Sequence, residues 1–592
     1  MNCSFYLLWL CGFLLVVAEP IAKDYKENEQ IVVWANKMGP YNSPAEGQDF
    51  YEALPWSEDC RPKELEYAEQ HLGEALIGNR LVKTPFQVNF KKSVKEIPLC
   101  QLNIDVTHLG SFRRAIAENY VYYLTMDGIS SPAIPLGETD LQRLGLHLGK
   151  RLTNLEHVYI YSQLQFEIYY NNSNIIRFHV LPLGPVLISA DSVFNHSISY
   201  SVSWNPTNTV VTERLESLSS PTLFEFRWPS LLSSLSLIFF VLASIGIIFI
   251  RRLRRELRST EELEMGAMED VERGWKLIRG DVFRFPDYYN LLCAFYGVGL
   301  QLTLLTMILF MIGSLGGYQR RGGASFLSTA IFMYSLTSFI SGFGSARLYR
   351  QMNGQHWVRN TLLCIFIYTL PVFLIWSCIN TMALFYDSTI ALPFSLGLVL
   401  FALWAFITFP CTVLGAIIGK HTGRKGFRAP VRTSKIKREI PRAPWYASVW
   451  FQACIGGILP LSIVLVETRY ILSAIWGYEN PSSFIVLFML FLILVIWISA
   501  ITSFLVFQQL CFENYKWWWR SFLNGGSCAI FFYFYAIYYF YFQSNLSGFL
   551  QSLSFLGYTF ALSYGLFLAL GFIGFVSGLT FVRVIYRAIK TD

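Results

Sequence analysis

Two periodicities divide the chain. As far as about residue 226 apolar and polar positions alternate over short stretches; beyond it long apolar runs follow one another with charged sequence between them. In HVYIYSQLQFEIYYNNSNIIRFHV, Leu164, Phe166 and Ile168 alternate with Gln163, Gln165 and Glu167, which predicts a strand with one wet face, and NNSN supplies the turn into a second strand. Further strands are predicted at QIVVWANKM, PFQVNF, YSVSW and LFEFRW, with helical patches near 64–74 and 112–120. This strand-rich stretch, residues 19–226, predicts a β-sandwich. In the second part, windows at 231–250, 289–313, 324–343, 361–385, 393–418, 447–466, 482–507, 526–542 and 556–582 are each long enough to cross about 30 Å of hydrocarbon. The expected fold class is a polytopic α-helical membrane protein, with nine spans in residues 227–592, behind an N-terminal lumenal domain that is mainly β and sandwich-like.

The opening MNCSFYLLWLCGFLLVVAEPI is too short for a span and has small residues, Val16 and Ala18, where a signal peptidase requires them. Residues 1–18 are therefore expected to be a cleaved secretory signal, a retained anchor being the alternative. The segment behind it would then face an oxidising lumen. Only Cys60 and Cys100 fall there, and two cysteines in such a compartment most simply pair; two free thiols are the alternative. Sequons at Asn171 and Asn195 suit exposed lumenal loops as glycosylation sites, whereas Asn545 would lie too close to the membrane.

Charge sets the expected orientation. The segments assigned to the cytosol hold 26 Lys plus Arg, against three in the lumenal connections, Arg320, Arg321 and Arg469. The same runs explain the net charge of +7 without nucleic acid as a partner: RRLRREL and GKHTGRKGFRAPVRTSKIKREIPR flank spans and are expected to act as topology anchors, contact with anionic membrane lipids being the further expectation. WWW at 517–519, followed by Arg520, reads as an interfacial aromatic belt.

Of the 592 residues 53% are hydrophobic and 17% aromatic, and the nine windows contain no Asp, Glu, Lys, Arg or His. That absence weighs against a proton-coupled transporter, although Gln301 or Asn380 could line a path for a small solute or lipid. The eight histidines are scattered, with no metal-binding spacing and no nucleophile elbow, so neither an enzyme nor a cofactor is expected. Gly415 with Gly419, and Gly574 with Gly578, have the small-xxx-small spacing that lets helices approach closely.

GWKLIRGDVFRFP (274–286), SGFGSARLYRQMNGQHW (341–357), REIPRAPWY (438–446), GGILPLSIVLVETRYILSAIWG (456–477), CFENYKWWWRSF (511–522), HLGEALIGNR (71–80), IPLC (97–100) and the closing KTD resemble, in order, blocks of the transmembrane nine superfamily, the nonaspanins. Two departures stand out: LPWSEDC shifts Cys60 by a few residues, and the acidic pair before the aromatic run is Glu513 and Asn514 here. The resemblance implies a multi-pass protein of Golgi and endosomes. It also implies a role in sorting, chaperoning or surface delivery of integral-membrane clients, including those with glycine-rich spans, and links to adhesion, phagocytosis and autophagy. By the same resemblance the K-x-D terminus, Lys590 and Asp592, would be a retention signal read by a COPI-type coat.

Overall fold

The structure, a computed structural model, describes residues 23–68, 72–140, 157–188, 193–209, 274–314, 322–442, 444–476 and 484–587, with scattered positions between 236 and 254. The expected signal at 1–18, the strand at 223–228, most of the window at 231–250, and Lys590 and Asp592 lie outside the described residues.

The described residues of the N-terminal part form twelve strands: Gln30–Ile31 (β1), Val33–Pro40 (β2), Val82–Lys83 (β3), Val88–Asn89 (β4), Val94–Ile104 (β5), Tyr120–Met126 (β6), Ile129–Ser130 (β7), Ile134–Pro135 (β8), Gly137–Thr139 (β9), Val158–Asn171 (β10), Asn174–Leu187 (β11) and Phe194–Pro206 (β12). Two five-stranded sheets hold most of them. One runs β11-β10-β12-β5 with β9 on β10; the other runs β3-β2-β6-β7 with β8 on β6; β1 and β4 form a separate ribbon. The β10–β11 hairpin turns at Asn172, which takes a left-handed φ of 52°. Leu164, Phe166 and Ile168 point into the core, where Phe166 meets Phe86 and Tyr200 edge-on, while Gln163, Gln165 and Glu167 stay half-buried.

The predicted helical patches are displaced. Residues 64–68 carry an isolated bridge, Tyr67 to Val82, and helix α1 is Leu72–Ile77. Helix α2, Val106–Ala117, starts six residues before its patch, and Asn119, at φ 56°, turns the chain into β6. Its buried face is Leu109, Phe112, Ala115 and Ile116. Strand β5 gave no clear signal because VKEIPLCQLNI lacks strict alternation and contains Pro98.

Cys60 and Cys100 form a disulfide, with Cα atoms 5.1 Å apart and a sequence separation of 40, fastening the loop ahead of α1 to β5. Non-reducing peptide mapping should recover these two segments as one linked species. Free thiol at both positions would contradict the structure.

Among the described residues eight long helices follow: Tyr289–Ser314 (α3), Gly322–Gln351 (α4), Trp357–Phe385 (α5), Phe394–Thr422 (α6), Val449–Trp476 (α7), Phe484–Cys511 (α8), Trp517–Phe542 (α9) and Phe549–Arg587 (α10). Six of these, α3, α5, α6, α10 and the parts Ser325–Gln351 of α4 and Leu487–Cys511 of α8, are long and apolar enough to cross a membrane. The chain is a multi-pass membrane protein. Within α6, Pro410 lacks the N–H that would bond one turn back, and the turn before it, Trp404–Thr408, widens into a π segment.

The windows located these helices better than their ends. α7 continues past residue 466 because no glycine or proline intervenes before Gly477, so Arg469, expected in a connection, is helical. α9 starts at Trp517, nine residues ahead of its window. α10 has 39 residues and is about 58 Å long, nearly twice the hydrocarbon thickness, so it projects from the bilayer.

Candidate functional site

Two assemblies stand out, one at each end of the helical bundle. At the first, residues 42–48 of the β domain dock between the α5–α6 and α9–α10 connections. The Ala45 N–H donates to Gln551 Oε1 at 2.9 Å, Ser388 Oγ donates to the Ala45 carbonyl at 2.6 Å, and the Thr389 N–H donates to the Gly47 carbonyl at 2.9 Å. The Ser547 N–H reaches the Asn42 carbonyl at 3.0 Å, and Ser43 Oγ donates to the Ser547 carbonyl. Ala45, Ala383, Ala391 and Leu550 pack beneath these bonds. Small residues are required here: Gly548 has φ 94°, and a Cβ there would lie 2.2 Å from Glu46 Oε1. Buried bonds of this kind contribute about 1 kcal/mol each, and leaving one partner unpaired costs more. Beside the joint, Lys37 reaches the Ile77 carbonyl at 3.5 Å, and desolvation lowers its pKa to about 8.

The end away from the β domain is closed by a cap built from the blocks around 274–287, 427–440 and 511–522. Arg284 holds it together: its Nε donates to Asp281 Oδ1 at 3.0 Å, and its Nη2 reaches the carbonyls of Ser434 at 2.9 Å and Ile436 at 3.3 Å. The Ser434 N–H donates to the Gly280 carbonyl at 2.7 Å, joining the two segments through the main chain. Trp517 and Trp518 stack with centroids 4.5 Å apart, and the Trp517 indole N–H donates to the Val282 carbonyl at 2.9 Å. Tyr586, in the last turn of α10, donates its hydroxyl to the Trp275 carbonyl at 2.6 Å, and Arg583 lies 4.6 Å over the Phe427 ring.

The belt reading of 517–519 is corrected by this geometry. Trp517 and Trp518 are 0% and 1% exposed, because segments 274–287 and 427–440 fold over them and exclude lipid headgroups. Only Trp519, bonded to the Asp287 carbonyl at 2.9 Å, stays partly open. The departure at 513–514 also finds a role. Glu513 pairs with Arg438 at 3.2 Å, and Asn514 Oδ1 accepts the Lys516 N–H at 3.0 Å, closing the turn that starts α9.

Other candidate residues are placed as follows. Asn195 is exposed on β12, whereas Asn171 is half-buried at the end of β10 and donates its Nδ2 to the Thr209 carbonyl at 2.9 Å. Gln301 donates to the Tyr334 carbonyl at 2.9 Å, tying α3 to α4, and Asn380 Oδ1 accepts the Leu392 N–H at 2.8 Å. Both amides therefore have structural partners. The glycine pairs are internal as well: a Cβ on Gly415 would stand 2.0 Å from the Phe339 carbonyl oxygen, and one on Gly574 would stand 2.8 Å from that of Ser521. Residues 42–48, 386–392 and 547–551 carried no sequence signal beyond small and polar loop composition.

The sequence family described as endomembrane protein 70 matches residues 48–549, most of the chain, including the cap segments at 274–287, 427–440 and 511–522. The chain belongs to this family. It is 35% identical over 596 residues to transmembrane 9 superfamily member 4 of Arabidopsis thaliana, covering 99% of this chain and 98% of that one. It is 35% identical over 574 residues to member 3 of the same plant, covering 96% and 95%. Member 1 of Mus musculus is 33% identical over 586 residues, covering 96% and 94%. No solved structure matches the chain. Four of the blocks have a structural place here: those at 274–286, 438–446 and 511–522 build the cap, and 71–80 brings Gly78 against the Thr389 backbone at the joint.

Proposed function

We propose that this endomembrane protein 70 family member sorts or chaperones other integral-membrane proteins in Golgi and endosomes, with the β domain in the lumen and retention through a coat that reads Lys590 and Asp592. The observation that supports the reading is where the described part of α10 ends. Tyr586 pins the end of α10 to the cap, so KTD follows a fixed point by only a few residues. The five residues after Arg587 extend at most about 17 Å, so the receptor must come close to the cap. Clients would meet the outer faces of the helices, because the glycine pairs are used up in internal packing.

A charged terminus is read group by group, and removing one charge leaves its counterpart unpaired at a cost of a few kcal/mol. Lys590→Ala or Asp592→Ala is therefore expected to move the protein from the Golgi towards the surface or lysosome, and Thr591→Ala to leave it in place. Fluorescence localisation of internally tagged variants checks this; an unchanged Golgi pattern in the double mutant removes the tail from the mechanism. Transport of a small solute is the second reading. Gln452 and Asn524, each 1% exposed, leave all four amide atoms without a hydrogen-bond partner among the described residues, and such groups inside a bilayer call for water or a polar guest. Solute flux in liposomes that is lost in Gln452→Leu would favour that reading over sorting.

A further inference from the structure

The helix ends on the cap side converge at one place the cap does not cover. The end of α4, the start of α5 and the end of α6 meet there, with Gly423 of the α6 terminus against the Arg347 carbonyl and the Arg350 side chain. An open groove of about 590 Å³ lies at the start of α5, lined by Gln355, His356, Trp357, Val358, Arg359 and Leu362. Lys420, at the end of α6, holds its ammonium 4.6 Å over the Trp357 ring. Segments 344–360 and 415–438 contain no Asp or Glu, and Arg347, Arg350, Arg359 and Lys420 form no ion pair among the described residues.

The groove continues as an apolar track. Val358, Leu362, Phe366, Leu370 and Leu374, spaced by four along α5, are all exposed and form one stripe running from the cationic rim into the hydrocarbon. A cationic mouth above an apolar stripe at membrane depth has the polarity of one phospholipid molecule, phosphate above and acyl chain below. We propose that this groove is a binding site for an anionic phospholipid of the adjacent leaflet. Arg359, Lys420 and His356 take the headgroup, Trp357 fixes its depth, and the 358–374 stripe takes an acyl chain. A zwitterionic choline lipid is disfavoured, because its own ammonium would face Arg359 and Lys420. The assignment rests on the membrane-spanning fold alone and stands whether or not the sorting reading does.

The test uses the full-length protein in nanodiscs of phosphatidylcholine alone, or doped with phosphatidylserine or phosphatidylinositol 4-phosphate at matched charge, with retained lipid counted by native mass spectrometry. Retention of anionic lipid over phosphatidylcholine is expected, falling about fivefold for each charge removed in Arg359→Ala and Lys420→Ala. Arg432→Ala with Lys435→Ala removes equal charge from the same side outside the groove and should change nothing. Leu362→Trp fills the groove without altering charge and should also expel the lipid, with thermal melting confirming that each variant is folded. Equal retention of phosphatidylcholine, equal loss in the Arg432 and Lys435 variant, or full retention in Leu362→Trp would each overturn the site in favour of a diffuse positive field.

Discussion

Trp517→Ala should destabilise the protein by about 3–5 kcal/mol, the range for truncating a fully buried large aromatic side chain. Three losses add up at this position. The stack on Trp518 disappears, the Val282 carbonyl loses the indole N–H, and a void opens beneath Phe575. Because the lost partner lies in segment 274–287, the damage should spread through the cap. Limited proteolysis of detergent-solubilised protein should cut 427–440 faster in Trp517→Ala, together with a lower melting temperature. Trp517→Phe restores most of the volume and the stacking but not the hydrogen bond, so it should recover most of the stability. If both variants cleave and melt like the unmodified protein, residues 517 and 518 belong to the lipid interface after all.

The second large effect is expected at the crossing of α4 and α6. A methyl group on Gly415 would fall 2.0 Å from the Phe339 carbonyl oxygen, and one on Gly342 would fall 2.0 Å from that of Thr412. Backbone cannot yield as a side-chain tip can, so Gly415→Ala must separate two helices, at about 1–3 kcal/mol or more for the added methyl. Gly415→Leu should prevent the crossing from forming, seen as loss of the monodisperse peak in size-exclusion chromatography. Gly397, with open space around it, supplies the control, and Gly397→Ala should behave as the unmodified protein does. Normal yield and stability in Gly415→Leu would show that α4 and α6 do not touch there.

The sequence was most informative where one interaction decides the outcome. Alternation at 163–168 is visible because a single sheet face is buried, and the apolar windows are visible because hydrocarbon tolerates little else. Helix ends were less legible, since α7 and α10 continue into regions where polarity no longer reports secondary structure; only the absence of glycine and proline between 461 and 476 hinted at this. The tryptophans were misread for a related reason: an aromatic cluster beside an arginine looks the same in sequence whether it meets headgroups or a folded loop. The joint at 42–48 was silent because its bonds run largely through main-chain atoms, which every residue possesses. Gly548 was a possible clue, but one glycine after a polar turn has many ordinary explanations.

Helix α10 touches both ends of the molecule. Gln551 holds the Ala45 amide near its first turn and Tyr586 holds the Trp275 carbonyl near its last, with no proline between them. An α-helix barely shortens along its axis, so it behaves here as a strut. A load applied to the β domain along the axis of α10 is delivered through this one unbroken helix to the base of the C-terminal tail.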